Sequence, residues 1–298
     1  MKVPFTLFAN FRIDSHERLL RMQDSYVSFS GSCIDQVVVN VRGDYREEAL
    51  SFLKKSYNGD LHVFKLESKN GWHYDSRVMF DCIKNDVILF WIEDHICMGG
   101  SKALNQVISD FTSSQADYLE YSWFNEQFVL ALNSLSHLTN QSSTLFSFKL
   151  CRSSKILRDK ISCSVIGRPP YLISCPAIFS KRLFERVLFT RRPFLPRWPK
   201  TTPFDFEKRS DDLYVLDFMQ AYLKSELFAA IDDDNLFEGS SLISRHLYPN
   251  RISREVLISE RNSVDNIPSN YLPVDKISRR FCNKVYSVLN RLKYLLWG

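Results

Sequence analysis

The chain has 298 residues, of which 45% are hydrophobic and 24% charged, and this composition excludes a wholly disordered protein. Its formal net charge of +5 is modest, so the composition does not indicate nucleic-acid binding. Seven scattered cysteines without a CxxC pair argue against zinc-ribbon and thioredoxin-like chemistry and favour free thiols in a reducing cytoplasm.

The first hundred residues alternate short apolar runs with amphipathic segments. The runs that predict β-strands are 5–11, 35–41, 61–67 and 86–94. The segments with helical spacing are 15–29, 46–56 and 72–85. Strands that alternate with helices in this way predict a mainly parallel sheet covered on both faces. Ligands are then expected at the carboxyl ends of the strands.

From about residue 101 the pattern is less regular. Helices are predicted at 101–111, 125–138 and 181–189. Strands are predicted at 116–124 and 171–180, and a Ser-rich strand bounded by loops lies within 141–159. Four prolines in 191–208 predict an extended, irregular segment.

The last segment, 276–298, carries six basic and no acidic side chains, with apolar residues at helical spacing. A basic face opposite a Leu-rich face is typical of a helix that lies in an anionic membrane surface. The alternative is an amphipathic helix packed on the protein's own core. The longest wholly apolar run, 87–92, is too short to span a bilayer. We therefore expect a cytoplasmic body that associates peripherally with the inner face of the cell membrane.

An acidic motif follows the fourth predicted strand, where Glu93, Asp94 and His95 precede a break at Gly99 and Gly100. Two carboxylates at the mouth of a parallel sheet suit a divalent cation that shares the phosphate oxygens of a nucleotide. The alternative is a strand that ends in solvated acids.

This order of elements, with its acidic motif, resembles the GT-A fold of family 2-like bacterial glycosyltransferases, in which a DXD-type motif follows the fourth strand. The resemblance covers residues 4–100 and, more loosely, 170–250. It implies a GT-A-like, Rossmann-type α/β fold, a nucleotide-sugar donor, and Mn²⁺ or Mg²⁺ as cofactor. Glu-Asp-His departs from Asp-X-Asp, because His95 stands where the family has a carboxylate.

The resemblance also implies the positions of the binding residues. The donor is expected to contact Ala9, Asn10, Arg12, Asn40, Asp44, Asn70, Gly71, Asp75 and Arg245. The cation is expected to be held by Asp94, with help from Glu93, His95 or His246. The acidic run 232–234 is interpreted as a turn, because three adjacent side chains cannot all point one way.

The catalytic base is expected in the tract that contains Asp205 and Glu207, which resembles the place where these enzymes carry their catalytic acid. Inverting transfer needs a base on the acceptor hydroxyl. Glu207 is favoured over Asp205 because Phe204 and Phe206 would enclose it, and burial raises the pKa of a carboxyl. The alternative is that both are solvated loop charges. Trp72, Trp123 and Trp198 are expected to be exposed and available to stack on sugars.

The resulting hypothesis has three segments. Residues 1–100 bind the nucleotide-sugar, 101–275 form the acceptor side of the same catalytic domain, and 276–298 associate with the membrane. The expected reaction adds a sugar to a glycan, or a lipid-linked glycan, during synthesis of a surface polysaccharide such as capsule or the O-antigen of lipopolysaccharide. Two alternatives remain: a nucleotidyltransferase on the same fold, and a non-catalytic glycan- or membrane-binding scaffold.

Overall fold

The computed structural model describes residues 2–69, 71–133, 140–189, 203, 207, 216–232 and 241–248. The elements of the first part are β1 (Phe5–Arg12), α1 (His16–Phe29), β2 (Ile34–Arg42), α2 (Arg46–Ser56), β3 (Asp60–Phe64), α3 (Trp72–Phe80) and β4 (Val87–Phe90). Those that follow are β5 (His95–Cys97), α4 (Gly100–Ser113), β6 (Tyr118–Glu120), α5 (Glu126–Asn133), β7 (Asn140–Gln141), β8 (Leu145–Leu150), α6 (Arg152–Val165), β9 (Ala177–Ser180), α7 (Lys181–Phe189), β10 (Phe218–Leu223) and β11 (Phe228–Ala230).

Within these residues, nine strands form one sheet in the order β3-β2-β1-β4-β9-β6-β10-β8-β7. The pairs β3–β2, β2–β1, β1–β4 and β6–β10 are parallel. β9 runs antiparallel between β4 and β6. β8 also runs antiparallel to its neighbours β10 and β7, so seven of these nine strands share one direction. The sheet is therefore mainly parallel and flanked by helices, which confirms the predicted α/β class with a Rossmann-type sheet.

The central strand β1 is apolar along its length because both of its faces are covered. Leu7 and Ala9 point into a core that includes residues of α1, α2 and α4. Phe8 points into a second core on the opposite face, formed partly by α3 and α7. Alternate residues of one strand thus serve two cores, as expected for the middle of a sheet buried on both sides.

A small second sheet holds the segment after β4. β5 pairs antiparallel with β11, so that Cys97 lies opposite Phe228 and His95 opposite Ala230. The sequence did not predict the short strand β5, since only a break at Gly99 and Gly100 was identified after the acidic motif. Its pairing with a strand about 130 residues later in the sequence is the reason that a local pattern did not reveal it.

Among the described residues, no helix is both long and apolar enough to cross a bilayer. The predicted membrane-associating segment, 276–298, lies outside them.

Asp110 fastens α4 to the turn that precedes β8. Its Oδ2 accepts hydrogen bonds from Ser143 Oγ, Thr144 Oγ1 and Thr144 N, each at 2.8 Å. Burial acts to raise the pKa of this carboxyl, but the donors outweigh it and lower the pKa from 3.8 to about 2. Ionised Asp110 therefore stabilises the junction between the helix and the turn.

We expect Asp110→Asn to lower the free energy of unfolding at pH 7 by about 2 kcal/mol, the value that corresponds to such a pKa shift. Because the folded-state pKa is depressed, this stabilisation is present above about pH 4 and is lost as the pH falls toward 2. Thermal unfolding of both proteins across this range measures the difference, which should close at low pH. Asp81→Asn, at an exposed position, is the control. A difference that stays constant with pH would contradict the assignment.

Candidate functional site

The strand order reverses at β1. The chain runs from β1 to β2 and β3 on one side and returns to β4 on the other side. Open sheets of this kind bind ligands outside the carboxyl ends of the strands at such a reversal. Here that place lies beyond Arg12, which ends β1, and Phe90, which ends β4. We call it the switch crevice.

Arginines gather on the β1 side of the switch crevice. Arg12 is exposed, and its Nε donates to Asp14 Oδ1 at 2.7 Å. Arg18 Nη1, from α1, donates to the Arg12 carbonyl at 3.1 Å and lies 3.8 Å from Glu93 Oε1. Arg42 ends β2, is buried and interacts electrostatically with Glu93. Guanidinium groups grouped in this way suit a phosphate-bearing ligand.

The acids after β4 differ in pKa. Burial, and then the neighbouring charge of Asp94, raises the pKa of Glu93 to about 7. Burial acts to raise the pKa of Asp94 as well, but His95 outweighs it, so this pKa lies below its ordinary value. The His95 Nδ1 atom is 2.7 Å from Asp94 Oδ1. Neighbouring carboxyls whose pKa values are driven apart are a common feature of functional sites.

The backbone of this motif is held from two directions. Ile231 N donates to the Asp94 carbonyl at 2.7 Å, and Ser25 Oγ donates to the His95 carbonyl at 2.5 Å. Because these contacts come from the residue after β11 and from α1, the acidic motif is fixed by parts of the chain that are distant in sequence.

The His95 ring is buried against aromatic residues. Its centroid lies 6.1 Å from that of Tyr121 and 5.7 Å from that of Trp123. With a carboxylate on Nδ1, the neutral ring carries its proton there, which leaves Nε2 as an acceptor or ligand atom. Nε2 is buried without a hydrogen-bond partner among the described residues.

Three of the residues predicted to contact the donor lie inside the fold. Ala9 is fully buried. Asn10 Nδ2 donates to Ser76 Oγ at 2.9 Å, and Asn10 Oδ1 accepts from Asn40 Nδ2 at 3.1 Å. Asn40 Oδ1 accepts from Leu66 N at 2.8 Å. The two asparagines thus tie β1 and β2 to α3 and to the chain after β3, beneath the carboxyl edge of the sheet.

The other predicted donor residues lie nearer the ends of the strands. Asp44 is exposed in the turn after β2. Gly71 precedes α3 with a φ of 107°, a conformation that favours glycine. Asp75 is buried, and its Oδ2 accepts from Ser68 N and Ser68 Oγ at 2.8 Å each. Asn70 lies outside the described residues.

The expectation that Trp72 is exposed was wrong. Trp72 is fully buried, and its Nε1 donates to the Asn10 carbonyl at 2.6 Å. It begins α3 on the side that packs against the sheet, with its ring centroid 5.7 Å from that of Phe90. Trp123 is partly exposed and lines a cavity, whereas Trp198 is outside the described residues.

Glu207 is enclosed. Its Oε1 accepts from Cys175 N at 2.8 Å and from Ser174 Oγ at 3.2 Å. It is 7% exposed, so the alternative of a solvated loop charge does not hold for this carboxylate. Asp205, Phe204 and Phe206 lie outside the described residues.

A second carboxyl, Glu120, lies close to Glu207. Glu120 ends β6, at the carboxyl edge of the sheet. Burial, and then the charge of Glu207, raises its pKa to about 7, while Arg158 and Arg168 oppose the shift. Arg158 is almost fully buried, and its Nη1 donates to Gln220 Oε1 at 3.1 Å.

Three charged residues near these carboxyls were not predicted from the sequence: Arg18, Arg42 and Glu120. The last two carry the signal that identified Asp94, since each is a charged residue at or near the end of an apolar strand. Arg18 carries no such signal, because it reaches the switch crevice from the first turns of α1.

Arg245, predicted to contact the donor, and His246, predicted as a cation ligand, lie after β11. Arg245 Nη1 donates to Glu226 at 2.9 and 3.0 Å, and His246 is exposed with a φ of 58°. Asp232 lies 3.6 Å from Arg21. Within the described residues, no group of three or more His, Cys, Asp or Glu side chains is placed to hold a metal ion.

A cavity of about 230 Å³ lies beside the motif. Its walls are formed by Trp123, Phe124, Glu126, Glu226, Ala229, Ala230 and Arg245. Because Ala230 is paired with His95 in the small sheet, the cavity adjoins the acidic motif.

No protein-family model and no curated protein matches the chain. Similar solved structures include S. aureus TarS, with a TM-score of 0.49 at 12% identity over 76% of this chain and 36% of that chain. TarS 1-349 in complex with UDP-GlcNAc gives 0.49 at 13% identity, over 78% and 60%. A cytidylyltransferase from Leptospira borgpetersenii gives 0.44 at 13%, over 92% and 100%. The chain thus spans 36 to 60% of these TarS chains, and its fold assignment rests on its own strand order and pairing.

Proposed function

We propose that this protein is a glycosyltransferase that moves a sugar from a nucleotide-sugar to a glycan acceptor. The observation that carries the proposal is the switch crevice, where Arg12, Arg18 and Arg42 lie on one side and the acids after β4 on the other. Arg18 spans the crevice, because it contacts both the Arg12 carbonyl and the Glu93 carboxylate. The phosphates of a ligand would be attracted to the basic side of the crevice, and a divalent cation bound to them would be attracted to its acidic side.

The carboxylate oxygens of the acidic motif suit a divalent cation that takes its remaining ligands from the substrate. Asp94 Oδ1 is engaged by His95, which leaves its Oδ2 and the Glu93 carboxylate as protein ligands. Mg²⁺ is usually held by one or two carboxylates together with phosphate oxygens. When bound, the cation would neutralise the charge that develops on the leaving diphosphate.

In this proposal Glu207 is the base that takes the proton of the acceptor hydroxyl, with inversion at the sugar carbon. Its burial and its two hydrogen bonds on Oε1 support the role, because they hold the carboxylate in one orientation. The acceptor, lipid-linked or not, and the synthesis of a surface polysaccharide belong to the same proposal.

The donor site is tested through binding. We expect nucleotide-sugars and nucleoside diphosphates, in a panel of UDP, GDP, dTDP and CMP compounds, to raise the melting temperature when Mn²⁺ or Mg²⁺ is present. Arg18→Ala should reduce that rise, because it removes a cation beside the phosphates. Lys54→Ala is the control, as it is exposed in the last turn of α2. Equal stabilisation of wild type and Arg18→Ala would contradict this part of the donor site.

We further propose that 276–298 binds the membrane surface. Removal of these residues should leave a folded protein that no longer sediments with anionic vesicles. Binding of the full chain should weaken as salt rises, because ions screen the basic side chains. Sedimentation at several salt concentrations measures both effects. A truncated protein that unfolds or aggregates would instead show that the segment packs on the core.

A further inference from the structure

We propose that the cavity between Trp123 and Arg245 is a subsite for one neutral sugar ring. This inference rests on the proposed function, since it names the kind of ligand that lies beside the acidic motif. Ala230, in the cavity wall, is the β-sheet partner of His95, and the ring of Trp123 packs on the ring of His95.

The shape of the wall favours a ring with an apolar face. Trp123 and Phe124 contribute two aromatic residues to the cavity wall, and Ala229 and Ala230 contribute two small ones. Trp123 has a φ of 54°, a left-handed conformation that is costly for a bulky residue and is often found at ligand sites. The volume of about 230 Å³ is below the range of roughly 300–1,000 Å³ for drug-sized ligands and suits a single monosaccharide.

The polar groups of the cavity favour hydroxyls. Arg245 Nη1 donates to both oxygens of Glu226, at 2.9 and 3.0 Å, and a guanidinium beside a carboxylate offers both donors and acceptors to neighbouring hydroxyls. Trp123 Nε1 and Arg245 Nε are buried atoms without a hydrogen-bond partner among the described residues. Buried donors of this kind usually have a partner, and the hydroxyls of a sugar would supply one.

The charge of the cavity excludes an anion as its best occupant. Glu126 and Glu226 contribute two carboxylates to the wall, and Arg245 contributes one guanidinium. The resulting excess of negative charge repels phosphate and has little effect on a neutral ring. The sugar is therefore expected to be uncharged, whether it belongs to the donor or to the acceptor.

The test uses the full chain and a panel of methyl glycosides of glucose, galactose and N-acetylglucosamine, titrated by saturation-transfer NMR. We expect saturable binding of at least one glycoside, weakened about tenfold or more in Trp123→Ala and in Glu226→Gln. Trp123→Phe keeps an aromatic ring and should lose less glycoside affinity than Trp123→Ala. This comparison separates the loss of stacking from misfolding. Tyr74→Ala, at an exposed aromatic residue of α3, should bind as the wild type does.

Inorganic phosphate is titrated in parallel. Tighter phosphate binding by Glu226→Gln, together with no glycoside binding, would overturn the neutral-sugar assignment.

Displacement of the glycoside by a saturating nucleotide-sugar would assign the ring to the donor, and simultaneous binding would assign it to the acceptor. If no glycoside binds while nucleoside diphosphates do, the subsite is wrong and the proposed function stands. Glycoside binding without any nucleotide binding would support the subsite and overturn the proposed function.

Discussion

Asp94→Ala is expected to reduce sugar transfer by roughly 10³-fold or more, because a cation on the leaving diphosphate contributes several kcal/mol to transition-state stabilisation. The same change should remove the cation-dependent rise in melting temperature that nucleoside diphosphates produce. His95 would also lose the carboxylate that lies 2.7 Å from its Nδ1. Transfer assays and melting curves with and without EDTA measure these effects.

The matched control for Asp94 is Asp86→Ala. Asp86 is an exposed aspartate just before β4, at the opposite end of the same strand, and its loss should leave transfer unchanged. Full wild-type activity in excess EDTA, or an undiminished diphosphate-dependent shift in Asp94→Ala, would overturn the cation hypothesis. The fold assignment would be unaffected, because it depends on strand order.

Glu207→Gln is expected to lower the transfer rate by roughly 10²- to 10⁴-fold, the usual effect of losing an acid–base group. The amide oxygen of the variant can still accept from Cys175 N and Ser174 Oγ, so the local structure should be kept. The loss should appear in kcat and not in KM, because proton transfer occurs in the transition state. Donor binding, which we assign to the switch crevice, should be nearly unchanged.

Two further variants identify the base. Asp205 lies in the same tract, and Asp205→Asn should lower the transfer rate much less than Glu207→Gln does. Glu120→Gln removes the neighbouring carboxyl, whose pKa is raised to about 7. A large loss in either variant, with a working Glu207→Gln enzyme, would move the role of base to that residue. Near-wild-type rates in all three would exclude a carboxyl base in this part of the site.

The first four strands and the helices between them were predictable because each has a local signature. β1 and β2 are short apolar runs, and the bounds of α2 agree with its predicted segment, 46–56. Parallel strands that are buried on both faces must be apolar throughout. The sequence therefore indicated both the fold class and the edge of the sheet at which Asp94 lies.

Other features depend on contacts that a local pattern does not contain. The Ser-rich segment after β8 was interpreted as loop but forms α6, where Ser154 Oγ accepts from Cys151 N at the start of the helix. Lys155 and Asp159, one turn apart and in contact, were the signal for that helix. Asn10 and Asn40 could not be assigned to each other from sequence, because their contact requires the register of β1 on β2.

The most direct test of the account is the identity of the phosphate product. The protein is incubated with each nucleotide-sugar, a divalent cation and a bacterial membrane extract as acceptor, and the reaction is followed by ³¹P NMR. We predict that at least one UDP-, GDP- or dTDP-sugar yields its nucleoside diphosphate, or a CMP-sugar yields CMP, and that Asp94→Ala yields neither. In a parallel incubation with added pyrophosphate, formation of a nucleoside triphosphate and a sugar 1-phosphate would identify a nucleotidyltransferase and contradict the account. The absence of any product across the panel would indicate a non-catalytic scaffold.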